Sequence, residues 1–140
     1  MKSASHRVSA PQRTARCGCG RLALTVSGQP RRVYLCGCSQ CQRATGSTFA
    51  WRAIFPSGAI VALEGEASVW RRGSDADRWV EQVFCPGCGS LIFMRAEALP
   101  DAISVSVGSF ADPAFPPPAS VHNRSHRPDW YCLAGQVAGS

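Results

Sequence analysis

The chain has 140 residues, enough for one domain with a modest core, and its 45% apolar and 17% charged content is that of a folded protein, not a disordered one. Of its net charge of +6, four units come from Lys2, Arg7, Arg13 and Arg16, which stand in residues 1–16 without an acid, leaving +2 for the rest. This argues against nucleic-acid binding, which draws on clustered Lys and Arg, and no stretch approaches the ~18 apolar residues of a membrane span.

Residues 1–16 read as a solvated, disordered basic tail. They contain no apolar stretch of a secretory signal, so the expected location is cytoplasmic, with thiols kept reduced. Next, RLALTVSG (21–28) alternates with Leu22, Leu24 and Val26 on one face, as a half-buried strand does, and Pro30 ends it. VYL (33–35) predicts a short strand leading into a cysteine cluster. SQCQRATG (39–46) fits about one helical turn stopped by Gly46.

TFAWRAIF (48–55) is rich in β formers and closes at Pro56-Ser57-Gly58. Further strands are expected over 59–65, 67–72, 79–84, 90–94 and 102–110. In the last, Ile103, Val105 and Val107 alternate with Ser104 and Ser106. The Pro-rich 113–118 cannot enter a sheet interior. Short strands at this spacing predict one all-β domain over 17–133 with short helical turns only, followed by a flexible tail over 134–140.

Eight cysteines in a reducing compartment point to metal before disulfides. They occur as Cys17-Gly-Cys19, Cys36-Gly-Cys38-Ser-Gln-Cys41, Cys85-Pro-Gly-Cys88-Gly and a solitary Cys132. CPGCG is a metal knuckle that supplies two thiolates, with Gly87 and Gly89 permitting its tight turn. Cys17 and Cys19 can complete a closed, structural Cys₄ set. Cys36, Cys38 and Cys41 are then left as a three-thiolate site with one position open, as in catalytic zinc. Pairing Cys36 or Cys38 with Cys85 and Cys88 is an alternative that strands Cys17 and Cys19. A wholly structural set of cysteines also remains open. Cys132 reads as a buried thiol behaving as a small hydrophobe, with a role as fourth ligand as the alternative.

Three ordered segments, CGCGRLALTVSG (17–28), CGCSQCQRATGSTF (36–49) and FCPGCGSLIF (84–93), resemble the glutathione-dependent formaldehyde-activating enzyme family, which also includes centromere protein V. HNRSHRPDW (122–130) is similar to the family's closing segment. The resemblance implies an Mss4-like fold, a twisted all-β domain stabilised by zinc. It also implies a structural zinc on Cys17, Cys19, Cys85 and Cys88 and a catalytic-type zinc on Cys36, Cys38 and Cys41. The implied activity is condensation of glutathione with formaldehyde to S-hydroxymethylglutathione, a carbon–sulfur lyase reaction. Gly37 departs from the His or Asn that family members often carry between the first two cysteines of the second motif.

Three thiolates leave a bound Zn²⁺ formally −1, which suits a soft thiolate ligand better than activation of water. A small thiol entering the open position is expected to deprotonate and attack an aldehyde carbon. Glutathione carries two carboxylates, so arginine forks are expected, with Arg43 and Arg52 as the candidates and Arg71, Arg72, Arg124 and Arg127 as further ones. His122 and His126 are further pocket candidates, whereas Trp51 and Trp130 are assigned to core packing. The competing functions are a non-enzymatic zinc-binding interaction module and a zinc-storage or sensing protein. The protein is expected to act as a monomer or homodimer.

Overall fold

Alternating β-branched, aromatic and polar residues produce most of the architecture. The computed structural model describes residues 10–73, 77–133 and 138–139. Its strands are β1 (Gln12–Arg16), β2 (Ala23–Ser27), β3 (Arg32–Cys36), β4 (Ala50–Pro56), β5 (Ile60–Glu64) and β6 (Ser68–Gly73), then β7 (Trp79–Phe84), β8 (Leu91–Ala96), β9 (Leu99–Ser106), β10 (Ser120–His122) and β11 (Ala138–Gly139). One short helix, α1 (Ser39–Thr45), lies between β3 and β4. The fold is all-β with short helical elements, as the sequence predicts.

Two sheets form. The smaller has the order β1-β2-β5 and the larger β11-β10-β3-β4-β9-β8-β7-β6. Pairing is antiparallel except for β3–β10 and β10–β11. The core lies between the sheets. Leu24 and Val26 of the smaller sheet meet a row that crosses the larger one: Val33, Ala53, Val105, Phe93 and Val83 are successive cross-strand partners. Each large side chain buried there contributes roughly 1.5–3 kcal/mol. Because strand side chains alternate, the opposite face of the same strands carries Tyr34, Arg52, Ser104, Met94 and Gln82. That second face is where the chemistry gathers.

The start of the domain differs from expectation. Gln12–Arg16, assigned to a disordered tail, forms β1 on β2. Ala15 is fully buried opposite Leu24, the Thr14 and Thr25 hydroxyls lie 3.0 Å apart, and the Arg13 guanidinium covers Phe115. Charge density hides this strand, because an edge strand turns its charged side chains outward while its backbone pairs. Residues 1–9 lie outside the described residues. At the other end, Ala138–Gly139, assigned to a flexible tail, pairs in parallel with β10, while 134–137 and 140 lie outside the described residues.

The helix follows its sequence signals. The Cys38 side chain caps its start, and Gly46 ends it at φ 68°, donating to the Gln42 carbonyl at 2.7 Å. The predicted strand over 102–110 stops earlier, at Ser106, and Val107–Phe110 turns into a 3₁₀ helix that keeps Val107 buried. No helix among the described residues is long and apolar enough to cross a membrane.

Candidate metal centres and the adjoining cavity

Two backbone turns of similar design bring four sulfurs together. Cys17 N–H donates to the Leu22 carbonyl and Cys85 N–H to the Ser90 carbonyl, both at 3.0 Å, closing each turn five residues on. Inside them, Leu22 N–H points at Cys17 Sγ (3.2 Å) and Gly87 N–H at Cys85 Sγ (3.3 Å). Ser90 ties the two turns: its hydroxyl accepts from Gly18 N–H at 2.9 Å and lies 3.3 Å from Cys88 Sγ. The sulfurs of Cys17, Cys19, Cys85 and Cys88 all lie within 4.8 Å of one another. Hydrogen bonds from Ser90 hold the Cys88 thiol down at about 5, and the Leu22 N–H lowers Cys17. N–H groups aimed at sulfur favour thiolates, the form that binds a metal.

The second group comes from the end of β3 and the start of α1. Cys36, Cys38 and Cys41 also place their sulfurs within 4.8 Å of one another. Cys41 N–H donates to Cys38 Sγ at 3.3 Å, and Asn123 Nδ2 lies 3.5 Å from Cys36 Sγ. The bond from Cys41, opposed by burial and aided by the Cys38 N–H and Asn123, takes Cys36 down to about 5. The same bond and burial push Cys41 the other way. The two sulfurs are thus pushed in opposite directions, and a divalent cation would hold all three as thiolates. This soft, all-sulfur donor set suits zinc. All eight cysteines are free of disulfides.

The segment after β10 closes over this loop. Gly37 N–H donates to the His122 carbonyl at 2.9 Å, and Gln42 Nε2 bridges the Gly37 carbonyl (2.8 Å) and that of His126 (3.2 Å). A Cβ at position 37 would come within 3.3 Å of the Asn123 carbonyl oxygen, tighter than most such contacts. Glycine at 37 therefore lets the Asn123 segment approach Cys36.

Arg52 lies on the second face of the larger sheet and is 2% exposed. Its Nε donates to Ser104 Oγ at 2.6 Å and its Nη2 to the Ser104 carbonyl, while Nη1 has no partner. Burial lowers its pKa, and Tyr34, Cys41 and Cys36 oppose that shift. Tyr34 also meets Ser104, with 3.2 Å between hydroxyl oxygens. Beside them is a cavity of about 170 Å³ lined by Cys41, Arg52, Tyr34 and Ser104 at one side. A larger hollow of about 480 Å³ lies against Arg21, Glu66 and the Cys85–Gly87 turn, on the side of the four-cysteine group.

The remaining candidates scatter. Arg43 is exposed on the last turn of α1, two residues beyond Cys41, and does not line the 170 Å³ cavity. His122 packs edge-on against Tyr34, and His126 is exposed and contributes its carbonyl. Trp51 packs on the core beside Phe115. Trp130, assigned to core packing, is 80% exposed and meets Tyr131 edge-on, because the segment carrying it runs over the surface. Cys132, expected to be buried, is exposed for the same reason. Tyr34, Ser90, Ser104 and Asn123 were not singled out in the sequence, since a lone Ser, Tyr or Asn carries no spacing signal.

A family model described as glutathione-dependent formaldehyde-activating enzyme matches residues 12–125. A provisionally named glutathione-dependent formaldehyde-activating enzyme of Penicillium rubens is 29% identical over 86 residues, which make up 59% of this chain and 43% of that relative. The match therefore spans less than half of the relative's length. Among solved structures, a Rhodobacter sphaeroides protein superposes with a TM-score of 0.56 at 19% identity, over 74% of this chain and 91% of its own. A likeness at that identity concerns the fold alone.

Proposed function

The chain belongs to the glutathione-dependent formaldehyde-activating enzyme family, and from that membership we propose a zinc-dependent carbon–sulfur lyase. It would join a small thiol such as glutathione to a small aldehyde such as formaldehyde, or cleave their S-hydroxymethyl adduct. The observation that carries this reading is the ligand count: four sulfurs converge in one group and three in another. Cys17, Cys19, Cys85 and Cys88 would hold a closed structural zinc, and Cys36, Cys38 and Cys41 a second ion with one position open. Zinc bound by the three thiolates supplies a soft site at which a thiol is held deprotonated.

The chain's own groups prepare that site. The Cys41 N–H donates to the Cys38 sulfur, and the Asn123 amide stabilises charge on Cys36. Arg52 places a buried positive charge near Cys41 and Cys36 and would offset the excess of the thiolates. Arg43, exposed on α1, is the candidate contact for the carboxylates of the thiol. In the forward direction the thiol sulfur forms a bond to the aldehyde carbon. The carbonyl π pair moves to oxygen, which takes a proton, giving a hemithioacetal. Each chain carries a full ligand set, so a monomer or homodimer suffices, and thiol ligands are best preserved in a reducing compartment such as the cytoplasm.

The test is zinc stoichiometry in the wild type and in Cys38→Ser, with thiol–aldehyde turnover assayed in parallel. Two zincs per chain falling to one, with the fold retained and turnover lost, is the expected result. One zinc per wild-type chain, or unfolding of the variant, would overturn the division of ligands. A rate equal to the spontaneous thiol–aldehyde reaction would overturn the activity.

A further inference from the structure

A fully buried guanidinium with no carboxylate partner is costly unless an anion reaches it. Among the described residues neither Arg52 nor Arg72 has an acidic partner: the ion pairs are Arg31–Asp101 and Arg71–Glu81. Tyr34, Cys41 and Cys36 offset part of the cost for Arg52, which is fixed by two bonds to Ser104 and keeps Nη1 unused. Arg72 lines the same cavity, half-buried, with its Nε on Gln82 and its Nη1 on the Gly73 carbonyl. Two arginines thus line a cavity of about 170 Å³ that contains no acid.

The rest of the lining is apolar: Val80, Met94, Ala96, Leu99 and Ala102. At roughly 30 Å³ for each water displaced, the space matches a molecule of about six heavy atoms, far less than a whole tripeptide.

We propose that this cavity binds a short aliphatic carboxylate, so that the electrophilic substrate of the three-cysteine site is a small aldehyde acid. Its carboxylate would pair with Arg72 and lie beside the Arg52 guanidinium, its short chain would lie against Met94 and Leu99, and its aldehyde carbon would face Cys41. This deepens the proposed function by naming the class of its second substrate. The chemistry balances as before: a C–S bond forms, the carbonyl electron pair passes to oxygen, oxygen takes one proton, and the carboxylate is unchanged.

The experiment titrates propionate and propionamide into the zinc-loaded protein without thiol, followed by calorimetry and by the amide chemical shifts of Arg52, Cys41 and Met94. Propionate is expected to bind and to move those signals, propionamide to bind at least tenfold more weakly, and Arg72→Gln to weaken propionate about tenfold. Equal binding of the two probes, undiminished binding to Arg72→Gln, or no binding of propionate would each overturn the proposal. Arg52→Lys is a second variant that keeps the charge but not the fork. It is expected to bind propionate more weakly at unchanged zinc content, and wild-type affinity in it would count against the proposal. In a parallel assay with a thiol, glyoxylate is expected to exceed acetaldehyde in kcat/KM. If propionate binds as described while no aldehyde turns over, the lyase reading fails and the carboxylate site stands. If acetaldehyde turns over as well as glyoxylate and propionate does not bind, the carboxylate site fails and the lyase reading stands.

Discussion

Ser104 is the residue on which the buried charge depends. It accepts from Arg52 through both its hydroxyl and its carbonyl, and its hydroxyl also meets Tyr34. Ser104→Ala would strand the buried Arg52 Nε without its hydroxyl acceptor, and an unsatisfied buried donor costs about 1–3 kcal/mol. Urea denaturation of the zinc-loaded variant is expected to read a loss in that range, and an unchanged midpoint would place Arg52 in contact with water. The sequence shows Ile103, Val105 and Val107 as a core row and so assigns Ser104 to the outer face. It does not reveal that this face is itself covered at Ser104, because period-two alternation separates two faces without saying what lies over the second one.

Among the elements, the two cysteine turns and the turn before β6 are the most constrained. Gly65 sits at φ +95°, and a Cβ there would fall 1.9 Å from the Arg21 carbonyl oxygen, inside the segment that follows Cys19. No side-chain rotation relieves a clash with backbone, so Gly65→Ala should cost more than 3 kcal/mol and loosen the Cys17–Leu22 turn. Thermal unfolding and zinc content check this together: a melting temperature near wild type would mean that the β5–β6 turn moves aside freely. The strands from β2 to β9 were legible because their patterns are carried by Leu, Val, Ile and Phe. β1, β10 and β11 were not, since a short edge or parallel strand is specified by the partner backbone more than by its own side chains.

Across the whole molecule the two sulfur groups stand at different structural risk. An ion on Cys17, Cys19, Cys85 and Cys88 would staple the turn that precedes β2 to the turn between β7 and β8 and so join the two sheets. An ion on Cys36, Cys38 and Cys41 would join only the end of β3 to α1. A chelator is therefore expected to remove zinc in two stages, the first with circular dichroism unchanged and the second accompanied by unfolding, because metal binding across sheets is also folding free energy. Simultaneous loss of both ions with the fold would contradict that order. Acid should act in the same sense: thiols must lose protons to bind metal, so affinity falls as pH falls.

Cysteine spacing alone determined that two knuckles and a three-cysteine loop were present, since C-x-C and C-x-x-C fix ligands locally. Which knuckle joins which, and that Arg52 is buried beside Cys41 with Tyr34, Ser104 and Arg72 around one cavity, was decided by the tertiary structure. The physical reason is separation along the chain: Tyr34, Arg52 and Ser104 meet only through the register of β3, β4 and β9, and no local pattern encodes that register.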